Sequence, residues 1–335
     1  MGSSSGPSEV ELHGGEQGHL GRTSNGAPNC HLQKDVRPPV ASKGVPTTTV
    51  SSQKCVNGRA GACPCSGIDL LSFVPLDDFR GSEAFAPLGG RTSDIWGWVD
   101  PESGDEYVLL GKTNGTACFR VTDPTQPVYL GALLNSSPAQ LIWHDIKVYK
   151  DHAFIVSGVA SHIHDAQCVL YRGPDHNFGG REICFNSSET HMSVVDVTDD
   201  HATFPMADEL DEDETVDKTR TLIFDVSKLT MPRFVSAHDS SSTAIDHNMY
   251  IKDGLVYQSN YAAGLRMLDS SRAAQGRLSE VAFFDSFPEH DEREFVGTWS
   301  NYPYFPSGTI AFSGIDDGLF LVKAQPQVLA RHATG

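Results

Sequence analysis

Long apolar runs and positive charge are both scarce in this sequence. No stretch approaches the ~20 apolar residues of a membrane-spanning helix, and the N-terminal region holds no apolar run of the ~7–15 residues typical of a secretory signal. Lys and Arg number 25 against 43 Asp and Glu, which gives a formal net charge of −18. A surface of this sign repels phosphate backbones. We therefore expect no transmembrane segment, no visible signal peptide or anchor, and no nucleic-acid partner.

Several short functional motifs are also missing. The sequence holds no G-x-S-x-G elbow and no Walker loop, and no spacing of Ser, His and Asp selects a catalytic triad. The stretch ADELDEDETVD (207–217) packs seven carboxylates into eleven residues, a composition that suits calcium. It lacks the glycine turn of an EF-hand loop, so a solvated acidic loop is the simpler interpretation.

The seven cysteines fit disulfides better than zinc. Cys55, Cys63 and Cys65 lie close together but lack a second thiol or histidine pair at zinc-site spacing. Two disulfides are predicted, Cys168–Cys184 and Cys55 with Cys63 or Cys65, and buried free thiols are the alternative for a chain without a visible export signal. Three sequons add weight towards secretion. These candidate glycosylation sites are Asn114, Asn135 and Asn186.

Two phrases recur along the chain with small changes. The first is a short alternating apolar run followed by an acidic or hydroxyl turn, and its copies are ACFRVTDPTQP (117–127), SVVDVTDD (193–200), LIFDVSKLTMP (222–232) and RMLDSSRAA (266–274). The second is a pair of strands with a turn, as in HDIKVYKDHAFIVSG (144–158) and HNMYIKDGLVYQSNY (247–261). Repeated strand pairs are typical of arrays of small sheets. The sequence therefore predicts an all-β fold, a β-propeller-like ring or open arc of five to six antiparallel sheets.

Composition divides the chain into three parts. Residues 1–53 are rich in Gly, Ser, Thr and Pro and have almost no apolar periodicity, so we predict a disordered N-terminal segment. The propeller-like domain is predicted over 54–325, and 326–335 form a C-terminal tail. Within the domain, 93–131 resembles one complete unit, with Trp96 and Trp98 on one face of a strand and a hairpin turn at Asn114.

The spacing of the repeats is uneven. From Arg120 to Asp196, Asp225 and Asp269, which are equivalent positions in the first phrase, the gaps are 76, 29 and 44 residues. A four-stranded blade takes about 40–45 residues in well-known propeller repeats. Only the last gap fits one blade. We therefore expect missing repeat halves near 158–163 and near 200–207, and a strand edge left exposed where they are missing.

A set of segments resembles the LVIVD-repeat, choice-of-anchor B family of cell-surface β-propellers. Those segments are CVNGRAGACPCSGIDLLSFVPL, DIWGWVDPESGDEYVLLG, GTACFRVTDPTQPVYLG, DIKVYKDHAFIVS, HDAQCVLYRGPDHNFGGREICFNS, DELDE, AIDHNMYIKDGLVYQSNYAAGLRMLD and FPSGTIAFSGIDDGLFLV. The resemblance implies a propeller at an extracellular or cell-surface location, and no defined reaction. The chain departs from the family pattern at the missing halves and in showing neither export signal nor anchor.

His/Asp pairs start successive repeat units and are the candidate metal site. Equivalent positions of a propeller lie at one radius, so these side chains could converge on a divalent cation such as zinc, manganese or iron. The alternative is that each one bonds a neighbouring blade or caps a turn. If two of the carboxylates are buried together, a metal or an arginine should lie beside them. The candidates are His144, Asp145, His164, Asp165, Asp246 and His247, and the resemblance covers all but His144, where the family usually has Arg.

Two functions follow from these patterns. The first is a non-enzymatic extracellular binding module whose partner is a protein or a carbohydrate. The second is a metal-dependent propeller enzyme, of hydrolase or lactonase type, that uses the His/Asp residues and a divalent cation. The first is favoured, because the repeats explain nearly every distinctive residue without chemistry and a fold alone assigns no activity.

Overall fold

A computed structural model of the chain describes residues 15–19, 21–22, 28–29, 50, 52–79, 90–134, 144–149, 151–157, 165–187, 192–198, 202–204 and 218–330. Nearly all regular structure in these residues is β-strand. In chain order the strands are β1 (Gly15–His19), β2 (Gly21–Arg22), β3 (Pro28–Asn29), β4 (Arg59–Ala60), β5 (Cys63–Ser66), β6 (Ile68–Pro75), β7 (Thr92–Val99), β8 (Glu106–Lys112), β9 (Gly115–Arg120), β10 (Val128–Leu134), β11 (His144–Tyr149), β12 (His152–Ser157), β13 (Asp165–Leu170), β14 (Glu182–Ser187), β15 (Met192–Asp196), β16 (Ala202–Phe204), β17 (Arg220–Asp225), β18 (Arg233–Asp239), β19 (Met249–Lys252), β20 (Leu255–Ser259), β21 (Leu265–Asp269), β22 (Ser279–Phe284), β23 (Thr298–Tyr302), β24 (Ile310–Gly314) and β25 (Gly318–Ala324). Short 3-10 turns cover Leu76–Asp78, His176–Phe178 and Ala273–Gln275, and one helical turn, α1, covers Pro326–Leu329.

The strands form a ring of antiparallel sheets, so the predicted all-β, propeller-like fold is confirmed. Four sheets have four or more strands and lie like the blades of a four-bladed propeller. Their strand orders are β7-β8-β9-β10, β13-β14-β15-β16, β19-β20-β21-β22 extended by β5 and β4, and β23-β24-β25-β6. Three smaller sheets pair β17 with β18, β2 with β3, and β11 with β12, to which β1 is added.

The turns explain why neighbouring strands pair. Between β19 and β20, Asp253 and Gly254 both have positive φ, 51° and 74°. Two consecutive residues of positive φ match a type I′ turn, whose twist suits a tight antiparallel hairpin. Asp tolerates this left-handed conformation and Gly adopts it without steric cost. The register Lys252–Leu255 follows directly from the two-residue turn.

The ring is closed by pairing the two ends of the domain. Strand β6, near the N-terminal end, pairs antiparallel with β25, near the C-terminal end. The preceding strand β5 pairs with β22 of the neighbouring sheet, so the N-terminal strands join two sheets. Val50 and Gln53 also form bridges to β6. These two residues and strands β1 to β3 are therefore paired although they belong to the predicted disordered segment, most of which lies outside the described residues.

The closing sheet, β23-β24-β25-β6, contributes to both large hydrophobic clusters. One cluster is shared with the β19–β22 sheet and the other with the β7–β10 sheet. Phe320 on β25 lies 4.7 Å from Phe312 and 4.5 Å from Phe73, measured between ring centroids. Val328 of α1 packs on the first cluster, so the predicted C-terminal tail begins as part of the core.

The two hairpin sheets leave apolar side chains exposed. Phe154 on β12 is 45% exposed, and Phe234 on β18 is 55% exposed. The β11–β12 hairpin ends next to residues 158–163 and the β17–β18 hairpin follows residues 200–207, the two places where repeat halves are predicted to be missing, and their loss stays a prediction. Among the described residues, no helix has the length and apolar character needed to cross a bilayer.

Replacing Phe320 by Ala should lower the free energy of unfolding by about 3–5 kcal/mol, because a fully buried ring is lost where the closing sheet meets its neighbour. The same change at the exposed Phe154 is the matched control and should cost under about 1 kcal/mol. Urea unfolding followed by Trp fluorescence measures both. Equal losses would contradict the assigned role of the closing sheet.

Candidate functional site

One buried carboxylate, Asp94 on β7, lies where four sheets meet. The Ile146 N–H on β11 donates to Asp94 Oδ2 at 2.7 Å, and Lys147 Nζ lies 3.4 Å from the same oxygen. Asn248, just before β19, donates from Nδ2 to Asp94 Oδ1 at 3.5 Å and to Ser300 Oγ on β23 at 3.0 Å. Asp94 therefore links its own sheet to the β11, β19 and β23 sheets.

The charge of Asp94 is maintained despite complete burial. Burial alone would raise the pKa of this carboxyl, since it penalises the ionised form. The positive charge of Lys147 and the hydrogen bonds to the carboxylate outweigh that penalty and hold the pKa below its ordinary value. Asp94 is therefore ionised and accepts hydrogen bonds from neighbouring strands, and the positive charge of Lys147 helps to keep it ionised.

Lys147 lies in an aromatic cluster next to this carboxylate. Its Nζ lies 4.6 Å from the centroid of the Trp96 ring and 5.8 Å from that of Tyr250. The ammonium also donates to Asp145 Oδ1 at 3.0 Å. The side chains of Lys147 and Asp145 are each 26% exposed, so this charge pair reaches solvent. We call Trp96, Asp145, Lys147, Tyr250 and Tyr304 the hub cluster.

Tyr304 connects the hub cluster to a further sheet. Its ring centroid lies 6.4 Å from that of Trp96 and 6.3 Å from that of Tyr250. Gln167 Nε2 on β13 donates to the Tyr304 hydroxyl at 2.8 Å, and that hydroxyl donates to the Ile251 carbonyl at 3.2 Å. The hub cluster is thus made by residues of several sheets, and it combines aromatic rings with a partly exposed charge pair.

The predicted metal ligands have separate partners where the structure describes them. Asp145 contacts Lys147. Asp246 Oδ2 accepts from Thr221 Oγ1 on β17 at 3.4 Å. His247 Nδ1 lies 2.7 Å from the Trp299 carbonyl oxygen, and since a carbonyl only accepts, Nδ1 must carry the hydrogen. The His247 ring lies between Tyr261 and Trp299, at 4.8 and 5.1 Å.

The other predicted ligands add little to a common site. His144 is buried on β11. Asp165 begins β13, and the structure does not describe its side chain. His164 and the acidic segment 207–217 lie outside the described residues. Metal binding by these residues stays a prediction.

Both predicted disulfides are confirmed. Cys168 pairs with Cys184, and Cys55 pairs with Cys65, which decides the choice left open in the sequence. Cys63 is a buried free thiol. Of the sequons, Asn114 occupies the turn between β8 and β9, Asn186 lies in β14 and Asn135 is outside the described residues. Glycosylation stays a prediction.

One group of three ligand-type side chains, His290, Glu292 and Glu294, has its ligand atoms within 4.8 Å of one another. The Glu292 N–H donates to His290 Nδ1 at 3.2 Å. In a neutral imidazole Nε2 then carries the hydrogen, so neither nitrogen presents a lone pair to a cation in this arrangement. Both glutamates are exposed, and the loop gives no argument for a metal site.

The functional residues that sequence reasoning missed are Asp94, Lys147, Asn248 and Ser300. A usable signal existed for one of them: Asp94 stands in the otherwise apolar strand TSDIWGWV. A charge inside such a strand costs free energy unless it is paired, so it indicates a buried partner. The identity of that partner, 53 residues along the chain, depends on tertiary structure.

Asp94→Asn should lower the free energy of unfolding by about 1.5–3 kcal/mol near neutral pH, because the hydrogen bonds that a buried carboxylate accepts become weaker bonds to a neutral amide, while Lys147 keeps its pair with Asp145. The folded-state pKa of Asp94 is depressed, so the wild type should lose this contribution only as pH falls through that value. Asp145→Asn, in a partly exposed pair, is the control and should cost under about 1 kcal/mol. Chemical unfolding at several pH values tests this. Equal costs for the two variants would contradict a special role for Asp94.

The ionised form of Asp285 should destabilise the folded protein, whereas the ionised form of Asp94 stabilises it. Burial raises its pKa from 3.8 to about 6, although the Phe287 N–H and Arg266 oppose the shift. The folded state therefore binds more protons than the unfolded state between these values, and stability falls as pH rises across them. Asp285→Asn keeps the acceptor for the Phe287 N–H and should be about 1–3 kcal/mol more stable than wild type at pH 7. Urea unfolding from pH 4 to 7 measures the difference. The exposed Glu292→Gln is the control. If the gain in stability of Asp285→Asn did not depend on pH, the raised pKa of Asp285 would be excluded as its cause.

Comparisons with known proteins give only a distant structural likeness. No family model matches the chain, and no curated protein matches it. Among solved structures, it is similar to Raptor from Chaetomium thermophilum, at TM-score 0.41 and 9% identity, over 87% of this chain and 29% of that one. It is also similar to the C-terminal WD40 domain of Sif2, at TM-score 0.41 and 10% identity, over 87% and 99% of the two chains. Likenesses of this size assign no activity or partner.

Proposed function

We propose that this chain is a non-enzymatic binding module of the LVIVD-repeat, choice-of-anchor B kind, exposed to the extracellular space. The observation that carries the proposal is the bonding of the inner polar residues. Asp94 and His247 are each bonded to a neighbouring strand, and Asp145 is paired with Lys147 on its own strand. Residues used in this way stabilise the ring, and the outer surfaces remain available for recognition.

The two disulfides support the proposed location. Disulfides persist in oxidising compartments and are rare in the reducing cytosol. One of them ties Cys55 to Cys65 on β5, beside the ring closure, and so stabilises the N-terminal strands that complete two sheets. A chain built on these bonds suits secretion or display at a cell surface.

The hub cluster is the proposed recognition surface, and a protein is the proposed partner. The rings of Trp96 and Tyr304 are partly exposed, whereas that of Tyr250 is buried, and aromatic side chains are enriched in the centres of protein interfaces. The Asp145–Lys147 pair lies beside these rings and is partly exposed, so it can select a partner of complementary charge.

Metal analysis separates this proposal from a metal-dependent enzyme. The full chain is secreted from eukaryotic cells and purified without chelators, and its metals are counted by inductively coupled plasma mass spectrometry. We expect no zinc, manganese or iron near one per chain. A stoichiometric metal that is lost in Asp145→Asn or Asp246→Asn would overturn the proposal.

A charge reversal tests the recognition surface. Asp145→Arg should abolish binding to partners found on an array of extracellular proteins, because it places two positive charges side by side at the hub cluster. Asp151→Arg, in the same hairpin with a side chain 70% exposed, makes the same charge change away from the cluster and should retain binding. Both variants are checked for an unchanged melting transition. Equal binding by the two variants would place recognition elsewhere.

A further inference from the structure

We infer that the Cys168–Cys184 disulfide is a site of thiol–disulfide exchange, at which the Cys168 sulfur accepts an external low-molecular-weight or protein thiolate. The two cysteines are direct cross-strand partners on β13 and β14. Cys168 is exposed, whereas Cys184 on the central strand is buried. Exchange requires in-line access of a thiolate to one sulfur, and exposed disulfides are the labile ones. Cys168 provides that access.

The Cys55–Cys65 disulfide offers less access. Cys65 is only 1% exposed and belongs to the largest hydrophobic cluster, and the half-buried Cys55 packs against that cluster. The surrounding side chains come from the β19–β22 sheet and the closing sheet. A thiolate would have to lose its hydration to enter this cluster. The chain thus contains one accessible and one protected disulfide, which serve as each other's control.

The exchange proceeds in two balanced steps. A thiolate RS⁻ attacks Cys168 Sγ, a new Cys168–S–S–R bond forms, and the Cys168–Cys184 bond breaks with its electron pair leaving on Cys184 Sγ, which then takes a proton. A second thiolate attacks the R sulfur of the mixed disulfide, which releases RSSR and the Cys168 thiolate. Two thiols are oxidised and one disulfide is reduced. Glutathione is a sufficient co-reactant.

Cys63 is unsuited to act as an internal resolving thiol. It is buried on β5, and burial, with a contribution from Asp285, raises the pKa of its thiol to about 12. The reactive form of a cysteine is the thiolate. Cys63 is therefore protonated at neutral pH and does not supply the attacking thiolate.

Reduction has a structural consequence because β13 is the terminal strand of its sheet. Among the described residues it pairs with β14 alone. Val169 and Leu170, next to Cys168, are exposed and pack little against the core. Without the disulfide, β13 is held by its ladder and by the Gln167–Tyr304 hydrogen bond. Local opening should therefore become easier at β13 than elsewhere in the ring.

The test uses the native full chain and reduced glutathione. Samples are quenched over time, alkylated and analysed by peptide mass spectrometry. We expect glutathione on Cys168, and a rate of opening for Cys168–Cys184 about tenfold or more above that for Cys55–Cys65. In denaturing urea the rates of opening of the two disulfides should become equal. That result would show that the difference between the native rates is caused by the fold. Equal native rates, faster opening of Cys55–Cys65, or glutathione on Cys184 would each overturn the inference.

Two single variants separate access from structure. Cys184→Ser leaves a free Cys168, and Cys168→Ser leaves a free Cys184, so both lack the same disulfide. Oxidised glutathione should label the first variant faster than the second, because only Cys168 is exposed. Hydrogen exchange should be faster at β13 in both variants than in the oxidised protein, with β24 and β25 unchanged. Equal labelling of the two variants, or unchanged exchange at β13, would contradict the inference.

Discussion

The arrangement of the sheets depends on one buried charge. Asp94 is surrounded by a backbone N–H from β11, the ammonium of Lys147 and the amide of Asn248. A buried carboxylate without such partners would be strongly unfavourable, so the four sheets must meet in the relative positions that supply them. Apolar packing alone tolerates small shifts between sheets, and this network does not. The polar centre therefore specifies how the sheets meet, while the apolar clusters provide most of the stability.

The quality of packing differs around the ring. The closing sheet shares its two faces with large hydrophobic clusters, and its last strand, β6, comes from the opposite end of the domain. By contrast, the β11–β12 and β17–β18 hairpins expose Phe154 and Phe234. A hairpin that lacks the further strands of a four-stranded blade buries less apolar surface, so some of its apolar side chains stay exposed. The rigid part of the molecule is thus the arc that contains the closure, and the hairpins border the more accessible part.

Functional chemistry follows from the same division. His247, one of the His and Asp residues at repeated positions, lies against the well-packed closing sheet, where its Nδ1 bonds to the Trp299 carbonyl. The disulfides divide in the same way, because Cys55–Cys65 lies against the main core whereas Cys168 is exposed on β13. Burial therefore protects the Cys55–Cys65 disulfide from exchange, whereas exposure leaves the Cys168 sulfur open to attack. The hub cluster combines both properties, because the Tyr250 ring is buried and the Asp145–Lys147 pair reaches solvent.

Local physical signals in the sequence were sufficient for the all-β class, the repeated hairpins and the Cys168–Cys184 bond. Alternation of apolar residues and turn chemistry act over a few residues, and the two cysteines lie in adjacent strands. The choice of Cys65 over Cys63 as partner of Cys55, the pairing of β6 with β25, and the contact of Asp94 with Lys147 were decided by the tertiary structure. The β6–β25 pairing and the Asp94–Lys147 contact join segments whose proximity depends on how the sheets pack around the ring. A repeat pattern specifies each sheet, but a single sequence does not contain the distances between sheets, and those distances determine which polar residues become buried together.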